Sequence, residues 1–88
     1  MNKERRVKIK TNNKRLDLVT DLLNTYKSEL ESIQMDEEFA FDNLPEGFQN
    51  GLKGDEMQEA IDEMEDSMEA IDDIIKELEN IKSNLSIL

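Results

Sequence analysis

The chemistry within reach of this chain is carboxylate chemistry and little else. Twenty-two of its 88 residues are Asp or Glu, eleven are Lys or Arg, and it has neither His nor Cys. Paired carboxylates can move protons or hold divalent metals, but helix bundles that bind two irons combine inward Glu with Glu-x-x-His pairs. That composition also leaves out imidazole acid–base catalysis, thiol nucleophiles, Cys/His zinc sites and disulfides. The acids from Asp62 to Asp73 miss the oxygen-ligand spacing of an EF-hand loop, because Met64 and Met68 stand where ligands are needed. Phosphate-cradling glycine loops are absent. The expectation is a non-enzymatic protein with no metal, no cofactor and no small-molecule substrate.

A helix accounts for the acids better than a site does. Met57, Ile61, Met64, Met68, Ile71, Ile75, Leu78 and Leu85 recur at steps built from threes and fours, and Ala60, Ile74, Ile81 and Leu88 form a further row beside them. This spacing predicts a helix over 55–85 with one apolar stripe. The outward positions then carry Asp55, Asp62 and Glu69; Glu56, Glu63 and Glu77; Glu65, Asp72 and Glu79; and Glu59, Asp66 and Asp73. None of these twelve acids falls on the stripe, and Lys82 is the one charge that does. Asp55 is the expected N-cap with Gln58 three residues on, and Glu56 and Glu59 complement the helix dipole. Met57, Met64 and Met68 read as core filler, with an adaptable binding surface as the sharper alternative.

The first half offers a matching stripe. Leu16, Val19, Leu23, Tyr26, Leu30 and Ile33 alternate steps of three and four, widened by Leu22. They predict a helix over 16–41, with the basic segment 1–15 as its start. Residues 42–54 form the connection, where Asn43 and Glu46 make a capping box around Pro45. One helical turn runs to Gln49, and Asn50-Gly51 closes it. Phe41, Leu44, Pro45 and Phe48, with Leu52, are expected to pack over the end of the pair.

Two long helices with so short a link fold back antiparallel, giving one all-α helical hairpin over 1–88. Each helix buries only one side of its stripe in such a hairpin, so Ile74, Ile81, Leu88 and Leu22 stay wet. An exposed apolar strip marks an interface. The expected partner is a second copy, making a homodimeric antiparallel four-helix bundle, with a host or phage protein as the alternative.

Charge is unevenly placed. Lys3, Arg5, Arg6, Lys8, Lys10, Lys14 and Arg15 against Glu4 give +6 in residues 1–15, and the remainder carries −17 of the net −11. The seven bases are candidates for contact with nucleic acid or an acidic partner. Against nucleic acid stand the acidic body and the lack of base-stacking aromatics. The acidic rod suggests the opposite idea, a DNA mimic that occupies a host DNA-binding or defence protein. No apolar run reaches the length of a membrane span, and the basic start lacks the apolar core of a signal peptide. A soluble protein of a bacterial cytoplasm, away from membranes, is the expectation.

One stretch is familiar. Glu37-Glu38, Phe41-Asp42-Asn43-Leu44-Pro45-Glu46, Gln49 and the Glu56-Met57…Ala60-Ile61 run resemble small acidic helical-hairpin proteins encoded by phages, prophages and mobile elements of Gram-positive bacteria. The basic Asn2-Lys3-Glu4-Arg5-Arg6 start is similar too, whereas Asn50-Gly51-Leu52-Lys53-Gly54 departs from the family's Ser-Glu-Arg-Gly-like stretch. The resemblance implies the hairpin fold and a mobile-element setting, and brings no activity with it. Together these readings point to an interaction protein acting through helix–helix contacts.

Overall fold

The computed structural model describes residues 1–88 and is 90% helical, with no strand. Helix α1 spans Lys3–Asp42, α2 is the single turn Glu46–Gln49, and α3 spans Leu52–Ser86. α1 and α3 lie antiparallel, so the chain is an all-α helical hairpin. The rod measures 68 × 15 × 13 Å, and its radius of gyration of 20.0 Å far exceeds the roughly 12 Å of a compact domain this long. No helix is long and apolar enough to cross a membrane.

The basic segment is helical from Lys3 onward. Asn2 caps it, its Oδ1 accepting from the Arg5 N–H at 2.9 Å, and Glu4 sits in the first turn where the helix dipole favours an acid. The far end of α1 stops because Pro45 offers no N–H and pushes Leu44 out of helical backbone. Asn43 does not open α2 as a capping box. It closes α1 instead, its backbone N–H and its Nδ2 both donating to the Phe39 carbonyl. Gln49 finishes the cap by donating Nε2 to the carbonyls of Phe41 and Asp42, which have no partner within the helix.

α3 starts at Leu52 after Gly51, one turn earlier than an Asp55 cap would place it, so Gly54 lies inside the helix. Gly54 is buried against Gln49, and a Cβ there would sit 2.0 Å from the Gln49 carbonyl oxygen. Any side chain would push the corner apart. Phe41 and Leu44 are half-buried in this corner, but Phe48 and Leu52, expected over the helix ends, are exposed, as is Pro45.

Between the helices runs one seam with a period of seven. On α3 it is Gly54, Met57, Ile61, Met64, Met68, Ile71, Ile75, Leu78 and Lys82, all buried or half-buried. The expected apolar stripe of this helix is therefore the packed one from Met57 to Leu78, with Met57, Met64 and Met68 within it, whereas Leu85, expected to continue it near the open end, is exposed. On α1 the inward residues are Ile9, Asn13, Leu16, Thr20, Leu23, Lys27, Leu30, Gln34, Glu37 and Phe41. Here the expected seam is corrected. Leu16, Leu23 and Leu30 face α3, but Val19, Tyr26 and Ile33 are exposed, their places taken by Thr20, Lys27 and Gln34. The helix is turned so that alternate seam positions are polar.

Candidate interaction surface

Polar seam residues need partners, and α3 provides them on one side only. The row Asn13, Thr20, Lys27, Gln34 recurs every seventh residue of α1. Gln34 is buried and donates Nε2 to the Ile61 carbonyl at 3.2 Å and to Glu65 Oε2 at 3.0 Å. Asn13, also buried, donates Nδ2 to the Lys82 carbonyl at 3.5 Å. A helix carbonyl has a second lone pair for such a bond, so neither amide disrupts α3. The two amides stand three heptads apart on α1 and reach carbonyls three heptads apart on α3. Both pairs have residue numbers totalling 95, which fixes the sliding register of the hairpin.

Two lysines complete the edge. Lys27 Nζ donates to Asp72 Oδ1 at 2.7 Å, and Lys82 Nζ to Asp17 Oδ1 at 2.5 Å. Bonding to Asp72 holds the Lys27 ammonium above its ordinary pKa. Partial burial opposes this, and the charges of Asp72, Glu31 and Glu65 reinforce it. Lys27, Glu31, Gln34, Glu65 and Asp72 line one shallow groove; Asp17, Thr20, Glu79 and Lys82 line the next along the same edge. This edge carries the cross-helix polar contacts, with Leu16, Met68 and Leu78 of the seam also lining its grooves.

The opposite edge has none of these bonds. It consists of the residues just before the same seam rows, and in an antiparallel pair those two flanks meet on one side. Asn12 and Ile81 accordingly share a groove there. Val19, Tyr26 and Ile33 come from α1, with Leu22 at 71% exposure beside them. Ile74 and Ile81 come from α3, followed by Leu88. Every one of these large apolar side chains is exposed in the single chain. Only Ile61, Met68, Ile71 and Ile75 count as buried apolar residues, and no large side chain is fully enclosed.

Area puts a scale on the surplus. The chain exposes 6871 Å², whereas a compact monomer of its mass exposes about 5,300 Å². The excess of about 1,500 Å² is larger than the roughly 800 Å² each partner buries in an ordinary protein interface.

The rod is also polarised end to end. The open end, residues 1–15 with 80–88, carries the seven N-terminal bases and Lys82 against Glu4 alone, +7. The bases expected to contact nucleic acid or an acidic partner are thus gathered at one tip. The loop end, residues 36–59, carries eight acids against Lys53, −7. Eleven of the twelve α3 acids make no ion pair, the exception being Asp72, and no three acids converge in a geometry that could hold a metal.

The α1 seam residues Asn13, Thr20, Lys27 and Gln34 escape a reading based on hydrophobicity. Their signal is the strict seven-residue spacing, in step with Leu16, Leu23 and Leu30. No family model, curated protein or solved structure matches this chain.

Proposed function

We propose that this chain is a non-enzymatic helical interaction protein whose apolar edge docks against helices of another protein molecule. The observation that carries this reading is the division of the hairpin into two edges. One is satisfied by cross-helix bonds, and the other leaves Val19, Leu22, Tyr26, Ile33, Ile74 and Ile81 in water. A row of large apolar side chains left in water is costly and marks a contact surface. The resemblance of the Asp42–Glu46 loop to mobile-element proteins supports a bacterial cytoplasm and a phage or prophage setting.

The test is the double variant Leu22→Glu/Ile74→Glu, which charges the edge and leaves the seam alone. Its circular-dichroism spectrum should match wild type, while proteins that co-purify with the wild-type chain from the expressing cells, a second copy included, should be lost. Equal co-purification by both chains would reject the edge as the contact surface.

The unpaired acids of α3 favour a second reading, a carboxylate surface that takes the place of DNA on a host protein. In that case duplex DNA should displace the captured protein, and Leu22→Glu/Ile74→Glu should not.

A further inference from the structure

Taking the apolar edge as a docking surface, as proposed above, we infer that its occupant is a second copy of this chain, laid antiparallel so that the two loops lie at opposite ends. The seam keeps a seven-residue period over its whole length, so the helices supercoil and lines of every seventh residue run parallel to it. Two such lines on the apolar side are self-complementary when reversed.

On α1 the line is Lys8, Arg15, Leu22, Glu29, Asp36, two bases, a leucine and two acids, all exposed. Turned end for end about Leu22, it sets Arg15 against the partner copy's acid at position 29 and Lys8 against the acid at position 36. On α3 the line is Ala60, Ser67, Ile74 and Ile81, small at one end and large at the other. Reversal about Ile74 sets Ile81 over a serine, so side chains interdigitate instead of colliding. The first line is complementary in charge and the second in size.

The two centres coincide. The Asn13–Lys82 and Gln34–Ile61 contacts put positions totalling 95 opposite each other, which places Leu22 opposite Asp73 and within one residue of Ile74. One two-fold axis across the rod therefore passes by both Leu22 and Ile74. The same axis lays the +7 open end of each copy over the −7 loop end of the other, whereas the alternative stacking with both loops together opposes like charges.

The chain has no cysteine, so single cysteines report the arrangement directly. The full chain should have twice its 10.2 kDa mass by light scattering at micromolar concentration. Leu22→Cys, exposed and so harmless to the hairpin, should form a covalent dimer under mild oxidation. Glu29→Cys alone should not, because its copies lie about 21 Å apart at ~1.5 Å per residue. Arg15→Cys mixed with Glu29→Cys should link in trans. Glu29→Lys/Asp36→Lys should weaken association at least tenfold at low salt, and adding Lys8→Glu/Arg15→Glu should restore it. A chain of 10.2 kDa, or Glu29→Cys linking to itself while Leu22→Cys does not, overturns the proposal. A monomer whose capture of another protein still depends on Leu22 and Ile74 overturns this pairing alone and leaves the docking edge standing.

Discussion

The two edges of the hairpin are built from neighbouring positions of the same two helices and treat water in opposite ways. The polar edge takes Lys27, Gln34 and Lys82 from the seam and bonds them to Asp72, Glu65 and Asp17 across the groove. The apolar edge, one residue back along each helix, offers Val19, Tyr26, Ile33, Ile74 and Ile81 and makes no side-chain bond across to the other helix. Alignment and association are thereby separated. Directional bonds set how α1 slides on α3, since amides and ion pairs are intolerant of misplacement where apolar contacts are not. Non-directional burial is left for the other side, the one that the proposed second copy would cover.

The largest effect should come from the element both edges share. Ile71 is buried in the seam, and Ile71→Asp puts an unpaired carboxylate between the helices. A loss of about 4 kcal/mol or more is expected, enough to unfold a hairpin with so small a core. Far-UV circular dichroism should fall to a largely unfolded signal. A helical Ile71→Asp chain would mean that the seam is not what holds the two edges in place.

Next in size is the corner. Gly54→Ala forces the new methyl group into the Gln49 backbone, and Gln49 can move only by releasing the Phe41 and Asp42 carbonyls. Overpacking of this kind costs about 1–3 kcal/mol. Hydrogen exchange should quicken through residues 46–54 while the middle of the rod stays protected, so both edges survive and their loop ends loosen. Uniform protection across the corner would show that α2 is not clamped by this contact.

The fold was legible in the residues, and so was α3, for a common reason. On α3 twelve acids all stand on outward positions, so only one rotation of the helix buries no carboxylate. α1 permits two. Leu16, Leu23 and Leu30 form a seam with Val19, Tyr26 and Ile33, or equally with Thr20, Lys27 and Gln34, and both sets alternate threes and fours. Hydrophobicity favours the first. The chain adopts the second because Lys27 can lay its methylenes along the seam while its ammonium reaches Asp72, and because Gln34 finds a carbonyl and a carboxylate together. Those partners are some thirty to forty-five residues away in sequence, beyond the reach of any local pattern. Asn43 failed for a simpler reason. An Asn shortly before Pro suits the start of one helix and the end of another, and here the Phe39 carbonyl, which already holds the Asn43 backbone N–H, takes its side chain as well.

A smaller effect is expected at the polar edge itself. Gln34→Leu removes two hydrogen bonds, but the Ile61 carbonyl keeps its bond within α3 and Glu65 turns to water. The net change in stability should be about 1 kcal/mol or less, in either direction. Register should suffer more than stability. The sharp Leu22→Cys cross-link should broaden to neighbouring positions when Gln34→Leu is added, and an unchanged cross-linking pattern would assign the alignment to the ion pairs.

The subtlest test separates the edges by pH. Lys27 has its pKa raised above the ordinary 10.5, chiefly because its ammonium donates to Asp72. In the unfolded chain that bond is gone and the ordinary value returns. The folded state therefore holds the proton more tightly, and the stabilisation is complete below about pH 10.5. It is lost as pH rises through the folded value. Other lysines titrate in the same range, so the informative quantity is the difference in melting temperature between wild type and Lys27→Met. That difference should be flat from pH 7 to about 10 and change above it, as the deprotonated wild type loses the pair that the variant never had. Leu22→Glu/Ile74→Glu retains Lys27 and Asp72 and should follow wild type through the alkaline range. If the Lys27→Met difference stays constant through pH 11, the Lys27–Asp72 bond does not fasten the polar edge, and the amides of Asn13 and Gln34 set the register by themselves.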